Sequence, residues 1–153
     1  MAGTLLTVVL IAFLTFQVGD YAGQESSGGA ATNLATPVAA GACGEGKEAD
    51  PTYSVDLVAT PDPPRPEGTN LLFTVRRAGT AVTGAKVCVS TDMPEMAHPG
   101  LTTVTKEGSG GRYETRIQFG MGGSWRTSVI IAEPDKPVVW VPMTIQVAEI
   151  QPA

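Results

Sequence analysis

Hydrophobic residues alternate with polar residues along most of the chain from Tyr53 onward, which is the period of a half-buried β-strand. The clearest alternation lies in Tyr113–Phe119, where Tyr, Thr, Ile and Phe are separated by Glu, Arg and Gln. An all-β domain is therefore predicted, an immunoglobulin-like β-sandwich of about seven antiparallel strands joined by turns with glycine or proline. The predicted strands cover residues 53–60, 71–75, 85–90, a weaker stretch at 101–106, and then 113–119, 125–131 and 139–147.

The chain before the predicted sandwich has a different character. Thr4–Val18 is an uncharged apolar run, which indicates an export signal or a membrane anchor. An uncleaved anchor is favoured over a cleaved signal, because Asp20 and Tyr21 stand where a cleavage site needs small residues. A buried core helix is disfavoured, since no amphipathic partner helix follows. The predicted organisation is a signal or anchor over 1–19, a flexible linker rich in Gly, Ala, Ser and Thr over 20–50, and the sandwich over 51–150.

Charge and motifs exclude several classes of function. The net charge of −5 and the absence of a Lys/Arg cluster argue against binding to nucleic acid. Gly41–Glu48 has the spacing of a phosphate-binding loop, but Glu48 replaces the Ser or Thr that would hold Mg²⁺. A serine hydrolase would have to use His98 as its base, and no serine lies in a nucleophile elbow. We therefore do not expect an enzyme.

Cys43 and Cys88 are the only cysteines. In an exported chain they could form a disulfide that joins the end of the linker to the sheet. Spacing alone does not show that their Cα atoms come within the required distance of about 7 Å. A role for Cys88 as a metal ligand is disfavoured, because Met93 would lie about 16 Å away along a strand.

Soft metal ligands gather in the stretch Met-Pro-Glu-Met-Ala-His, which contains Met93, Met96 and His98. Because strands that cross a sandwich alternate in direction, the loop 92–100 and the turn 120–123 should emerge at one end. Met121, between two glycines of that turn, would then be a fourth ligand. Thioethers and an imidazole suit copper, Cu(I) above all, whereas zinc would need a carboxylate to join a single histidine.

A structural role is the alternative for the same residues. Methionine commonly fills gaps in hydrophobic cores, so Met93 and Met96 could cap the sandwich while His98 stays solvated. Met143 falls on the apolar face of the last strand and is predicted to be core. Trp125 shares a face with apolar residues of its strand, which predicts a buried tryptophan close to Met121.

Several ordered segments resemble the YtkA-like domain family. They are Gly-Thr-Asn-Leu-Leu-Phe-Thr-Val at 68–75, Val-Thr-Gly-Ala-Lys-Val at 82–87, Met-Pro-Glu-Met-Ala-His at 93–98, and Gly-Gly-Arg-Tyr-Glu followed by Phe-Gly-Met-Gly-Gly-Ser-Trp at 119–125. The resemblance implies a small immunoglobulin-like sandwich of exported or anchored bacterial proteins, related in layout to the FixH accessory proteins of copper-containing oxidases. It also implies that the following residues occupy the family's signature positions: Met93, Pro94, Met96, His98, Met121, Gly123 and Trp125. Ala97 departs from the glycine that many members carry before the histidine.

Together these observations predict an extracytoplasmic domain, tethered to the membrane by its N-terminal segment, that binds copper at one end of a sandwich. Its expected role is to buffer copper or to deliver it to a membrane partner such as an oxidase or a metal transporter. The alternative is a metal-free immunoglobulin-like interaction module, in which the same end is an apolar contact surface.

Overall fold

The computed structural model describes residues 35–39, 41–48, 50–96 and 98–149, and only the backbone at residues 47, 48, 98 and 99. Two β-sheets pack face to face, which confirms the predicted all-β, immunoglobulin-like sandwich. The strands are β1 (Pro37–Val38), β2 (Lys47–Glu48), β3 (Tyr53–Thr60), β4 (Thr69–Arg77), β5 (Thr80–Ala81), β6 (Lys86–Met93), β7 (His98–Val104), β8 (Lys106–Glu107), β9 (Arg112–Ile117), β10 (Gly123–Ala132) and β11 (Val139–Val147). One turn of 3-10 helix, Pro94–Met96, joins β6 to β7.

The larger sheet has the order β1-β7-β6-β10-β11-β2, and the smaller one has the order β3-β4-β9-β8, with β5 paired to β4. All neighbouring strands are antiparallel except β11 and β2. The weak stretch at 101–106 is a real part of the fold, because it contributes to β7 and β8.

The hydrophobic core lies between the inner faces of the two sheets. Alternation puts every second side chain of β4, β6 and β10 into it, and Phe73, Val89 and Val129 are completely buried. Burying each such side chain contributes about 1.5–3 kcal/mol, so the sequence alternation is also the main source of stability. Met143 is half-buried and packs against this core, as predicted.

A short N-terminal arm, made of the described residues between 35 and 48, lies on the larger sheet. Its strands β1 and β2 pair with β7 and β11 at opposite edges. The Cys43–Cys88 disulfide is confirmed, with a Cα–Cα distance of 6.2 Å and both cysteines buried. Lys86 Nζ also donates to the carbonyl of Ala42 at 2.7 Å. This last part of the predicted flexible linker is thus held to the sandwich, by two-residue pairings that composition cannot reveal.

The strand directions define two ends of the sandwich. β6 ends at Met93 and β10 begins at Gly123, and the two strands are antiparallel neighbours, so these residues share one end, which we call the methionine end. At the opposite end β4 and β10 finish and β11 starts; we call it the charged end.

Among the described residues, no helix is long and apolar enough to cross a membrane. The predicted signal or anchor over 1–19 and most of the predicted linker lie outside those residues.

Candidate functional site at the methionine end

The hairpin between β6 and β7 carries three of the predicted ligands. Pro94 begins its 3-10 turn, a position that suits proline because the first residues of a helical turn need no N–H donor. The register places Met93 opposite His98, after a shift of register between Thr91 and Met93. The hairpin therefore brings the backbones of Met93 and His98 side by side, with Met96 at the tip.

The Gly120–Gly123 turn lies next to this hairpin. A Cβ on Gly122 would come within 2.6 Å of the Ala148 carbonyl oxygen, so this position needs glycine to pass the chain that follows β11. At Gly123, with φ +117°, a Cβ would lie 3.3 Å from Met93 Cε. The methyl group of Met93 therefore packs directly on the turn that contains Met121. The alternating strand directions predicted that the loop and the turn lie at the same end.

The methionine side chains differ in their exposure. Met93 is only 7% exposed and belongs to the core, whereas Met96 is 53% exposed. Met121 is half-buried and packs against the core from the turn. The backbone of His98 reaches the same end, and its side chain lies outside the described part of the structure. The structure thus brings the four positions to one end of the sandwich; a shared metal ion remains a prediction.

Aromatic side chains form the floor of this end. Trp125 is buried, as predicted, and its ring lies 5.3 Å from that of Phe119 with an interplanar angle of 58°. Trp125 Nε1 donates to the carbonyl of Met121 at 3.3 Å. This bond satisfies the one polar group of the indole and ties the turn to the core.

Next to the hairpin, Asp92 of β6 and Arg126 of β10 form an ion pair, whereas Glu95 lies on the exposed 3-10 turn. Arg126 binds Asp92 in a bidentate manner, with Nε–Oδ1 at 2.9 Å and Nη2–Oδ2 at 2.7 Å. The hydrogen bond and the charge of Asp92 raise the pKa of Arg126 above its ordinary value. Within the described ranges, no group of three or more His, Cys, Asp or Glu residues could hold a metal ion.

Sequence reasoning missed a second polar cluster, at the charged end. Tyr53 Oη donates to Glu133 Oε1 at 2.6 Å, although the two residues are 80 positions apart. Glu133, whose side chain is 10% exposed, also pairs with Lys136 and with Arg77, whose Nε lies 3.6 Å from Oε1. The only local signal was the opposite charge of Glu133 and Lys136 in one turn; the other partners come from β3 and β4.

The pKa shifts describe how firmly this cluster is held. Burial raises the pKa of Glu133, but hydrogen bonds from Lys136 and Tyr53 and the charge of Arg77 outweigh it and leave the pKa below its ordinary value. Burial and the hydrogen bond to Glu133 raise the pKa of Tyr53 to about 12. The carboxylate is thus ionised and the phenol neutral over the physiological range, which favours the cluster.

Comparison with known proteins bears on the methionine end. A family model described as YtkA-like matches residues 47–130, more than half of the chain. The matched range runs from the beginning of β2 into β10 and contains the hairpin and the turn described above. Searches of curated proteins and of solved structures gave no significant match. The match over most of the sandwich shows that the chain belongs to the YtkA-like family.

Proposed function

We propose that this domain binds copper as Cu(I) at the methionine end and buffers it or delivers it to a membrane partner, such as an oxidase or a metal transporter. The observation that carries the proposal is the contact of Met93 Cε with the Gly123 position, which sets the ligand-bearing hairpin against the turn of Met121. Two segments that are distant in sequence thereby place thioether-bearing residues at one end of a rigid scaffold.

The donor set fits Cu(I) better than it fits a hard cation. Thioethers are neutral and polarizable, so they bind a soft ion without first losing a proton. Asp92, the nearest carboxylate along the strand, is occupied by Arg126. Met93, Met121, Met96 and His98 are the residues that would hold the ion. Met96 lies on an exposed turn with no buried residue, so turning its side chain toward the others would cost little packing.

An extracytoplasmic location is part of the proposal. The Cys43–Cys88 disulfide supports it, because such bonds form and persist mainly in oxidising compartments. The apolar run at Thr4–Val18 supports attachment to a membrane or export across it.

The test is a titration of the full-length chain with Cu(I) against a chromogenic chelator, with ascorbate as the reductant so that the disulfide stays intact. Met96→Leu and Met121→Leu remove sulfur while keeping nearly the same volume. Each is expected to weaken Cu(I) binding by about tenfold or more, because the ion loses one of its sulfur ligands; tenfold corresponds to about 1.4 kcal/mol of binding free energy. Met143→Leu is the matched control, because Met143 also packs on the core but lies opposite Thr127, away from this end.

The copper proposal fails if the native chain does not bind Cu(I) at micromolar free metal. It also fails if Met143→Leu weakens binding as much as the two variants at the methionine end.

A second candidate function is a metal-free interaction module. The observation in its favour is that Met96 and Leu101, on the same hairpin, are 53% and 43% exposed. An apolar contact surface would tolerate Met96→Leu but not Met96→Glu, whereas a thioether site would tolerate neither. Cross-linking of the two variants to membrane partners in the native envelope, beside the copper titration, separates the two functions.

A further inference from the structure

A cleft of about 870 Å³ opens at the charged end, on the side of the sandwich away from the methionines. Its polar lining includes Arg77, Lys136 and Asp50, and its apolar wall is formed by Ala78 and the segment 137–139. This volume lies within the range of about 300–1,000 Å³ that is usual for small-molecule sites. We propose that the cleft binds a monocarboxylate that carries a short apolar group, with Arg77 as the principal carboxylate-binding residue.

Glu133 positions the cations from behind the cleft. It does not line the cleft itself, yet it pairs with Lys136 and faces Arg77 through Nε at 3.6 Å. The guanidinium of Arg77 makes no hydrogen bond to protein groups in the described ranges, and its ion-pair partner is Glu133. The two terminal amino groups of Arg77 are therefore available to a ligand, and their planar geometry matches the two oxygens of a carboxylate.

The balance of charge selects the class of ligand. Arg77 and Lys136 are cationic, and the carboxylates of Asp50 in the lining and of Glu133 behind it balance their charges, so the cluster is neutral overall. The terminal amino groups of Arg77 can hold one carboxylate, whereas a polyanion would be repelled by the two carboxylates of the cluster. Hydrogen bonds from Thr52 to the carboxylate of Asp50 lower its pKa, which keeps it ionised.

The apolar wall includes an unusual backbone conformation. Ala78 has φ +48°, a left-handed conformation that is unfavourable for a residue with a Cβ. Its N–H donates to the Thr52 carbonyl at 2.7 Å, which holds the turn in place. Asn or Asp, the usual residues at such a position, would put a polar group where the wall is apolar. An apolar substituent on the ligand would pack against this wall and Val138.

The experiment is a titration of the full-length, isotopically labelled chain, followed by two-dimensional amide NMR. The probes are isovalerate, its uncharged amide, and a tripeptide ending in valine with either a free or an amidated carboxyl terminus. Isovalerate is expected to shift the backbone N–H signals of Arg77, Ala78 and Val138. The two amidated probes, which lack the carboxylate, should leave these signals unchanged. If the free peptide binds about tenfold more tightly than isovalerate, the source of the carboxylate is a peptide terminus; equal affinity identifies a free organic acid.

Matched arginine variants test the assigned residue. Arg77→Gln should weaken binding by about tenfold or more, because it removes a charged pair of hydrogen bonds. Arg76→Gln, on the neighbouring residue that faces outward from the same strand, should leave binding unchanged. Arg77→Lys keeps the charge beside Glu133 but loses the planar fork, so a folded chain with reduced affinity is expected even if Arg77→Gln is unstable.

The proposal is overturned if isovalerate and its amide shift the same amides to the same extent. It is equally overturned if Arg76→Gln and Arg77→Gln lose affinity alike, or if no shift occurs at the charged end.

Discussion

The methionine end and the charged end of the sandwich hold their side chains by different physical means. At the methionine end, apolar packing holds the side chains in place: Met93 lies against Gly123, and Trp125 and Phe119 form the floor. At the charged end, one mostly buried carboxylate, Glu133, organises a phenol and two cations.

Because of this difference, we expect the two ends to depend differently on pH. Dispersion contacts do not titrate, so the packing of Met93 on the turn and of Trp125 on Phe119 should not depend on pH. Buried ion pairs are costly to desolvate and costly to break, so the charged end depends on the ionisation of Glu133. Perturbations that act on one end and spare the other therefore test whether the two ends are independent.

The largest effect is expected from removal of the disulfide by Cys43→Ser and Cys88→Ser together. The two cysteines are 45 positions apart, and the loss of such a cross-link costs about 4 kcal/mol in the chain-entropy estimate. Gly44 and Gly46 of the arm pack against Val138, so the loss should loosen the charged end first. Denaturant unfolding gives the free energy, and amide hydrogen exchange should accelerate more at Val138 than at Trp125.

Equal acceleration at Val138 and Trp125 would contradict the idea that the arm supports one end selectively. A chemically reduced wild-type chain is the control, because it removes the cross-link without changing a residue.

A comparable or somewhat smaller effect is expected from Met93→Ala. Met93 is 7% exposed, and truncation of a buried methionine costs about 2–5 kcal/mol of unfolding free energy. Met96→Ala, three residues along the same hairpin, removes an exposed side chain and should change the unfolding free energy by about 0.5 kcal/mol or less. Urea denaturation of the copper-free chains measures both. If the two variants cost the same, Met93 does not anchor the methionine end as its burial indicates.

The smallest of the three effects is expected from Glu133→Gln, at about 1–3 kcal/mol, because Gln still accepts the Tyr53 hydroxyl but loses both ion pairs. The pKa of Glu133 is lowered in the folded chain, so the unfolded chain binds more protons in acid. The stabilisation is therefore present above the ordinary value of 4.5 and is lost as the pH falls through the folded-state pKa. Unfolding measured between neutral and acid pH should show a weaker acid dependence in Glu133→Gln.

Glu114→Gln is the matched control for this measurement. Glu114 also pairs with a lysine, Lys106, at 3.8 Å, but its side chain is 61% exposed, and exposed pairs contribute little. An acid dependence reduced equally by both substitutions would show that the burial of Glu133 is not what matters.

The parts of this structure that follow local rules could be predicted from the sequence. Period-two alternation located the seven long strands, and the alternating directions of those strands placed Met121 at the end that carries Met93. The side-chain directions within the hairpin could not be predicted, because the 3-10 turn reorients Met96 toward solvent while Met93 stays in the core.

Non-local polar contacts leave little trace in a single sequence. Tyr53 reads as an ordinary strand residue, and nothing in its neighbourhood indicates a partner 80 positions away. Likewise β1, β2 and β5 are only two residues long, too short to show a period. These features depend on which strands the fold brings together, and that information is spread over the whole chain.

The N-terminal arm has a mechanical consequence. Ala35 N–H donates to the Arg116 carbonyl of the smaller sheet, and β1 then pairs with β7 of the larger one, so the arm bridges the two layers before reaching Cys43. A pull on the chain upstream of Ala35 would first peel off these few hydrogen bonds. The covalent bond would then pass the tension to Cys88 in β6, a central strand flanked by β7 and β10. Force spectroscopy should accordingly record a short, weak first extension and then a high shear resistance, and the second feature should vanish when the disulfide is reduced.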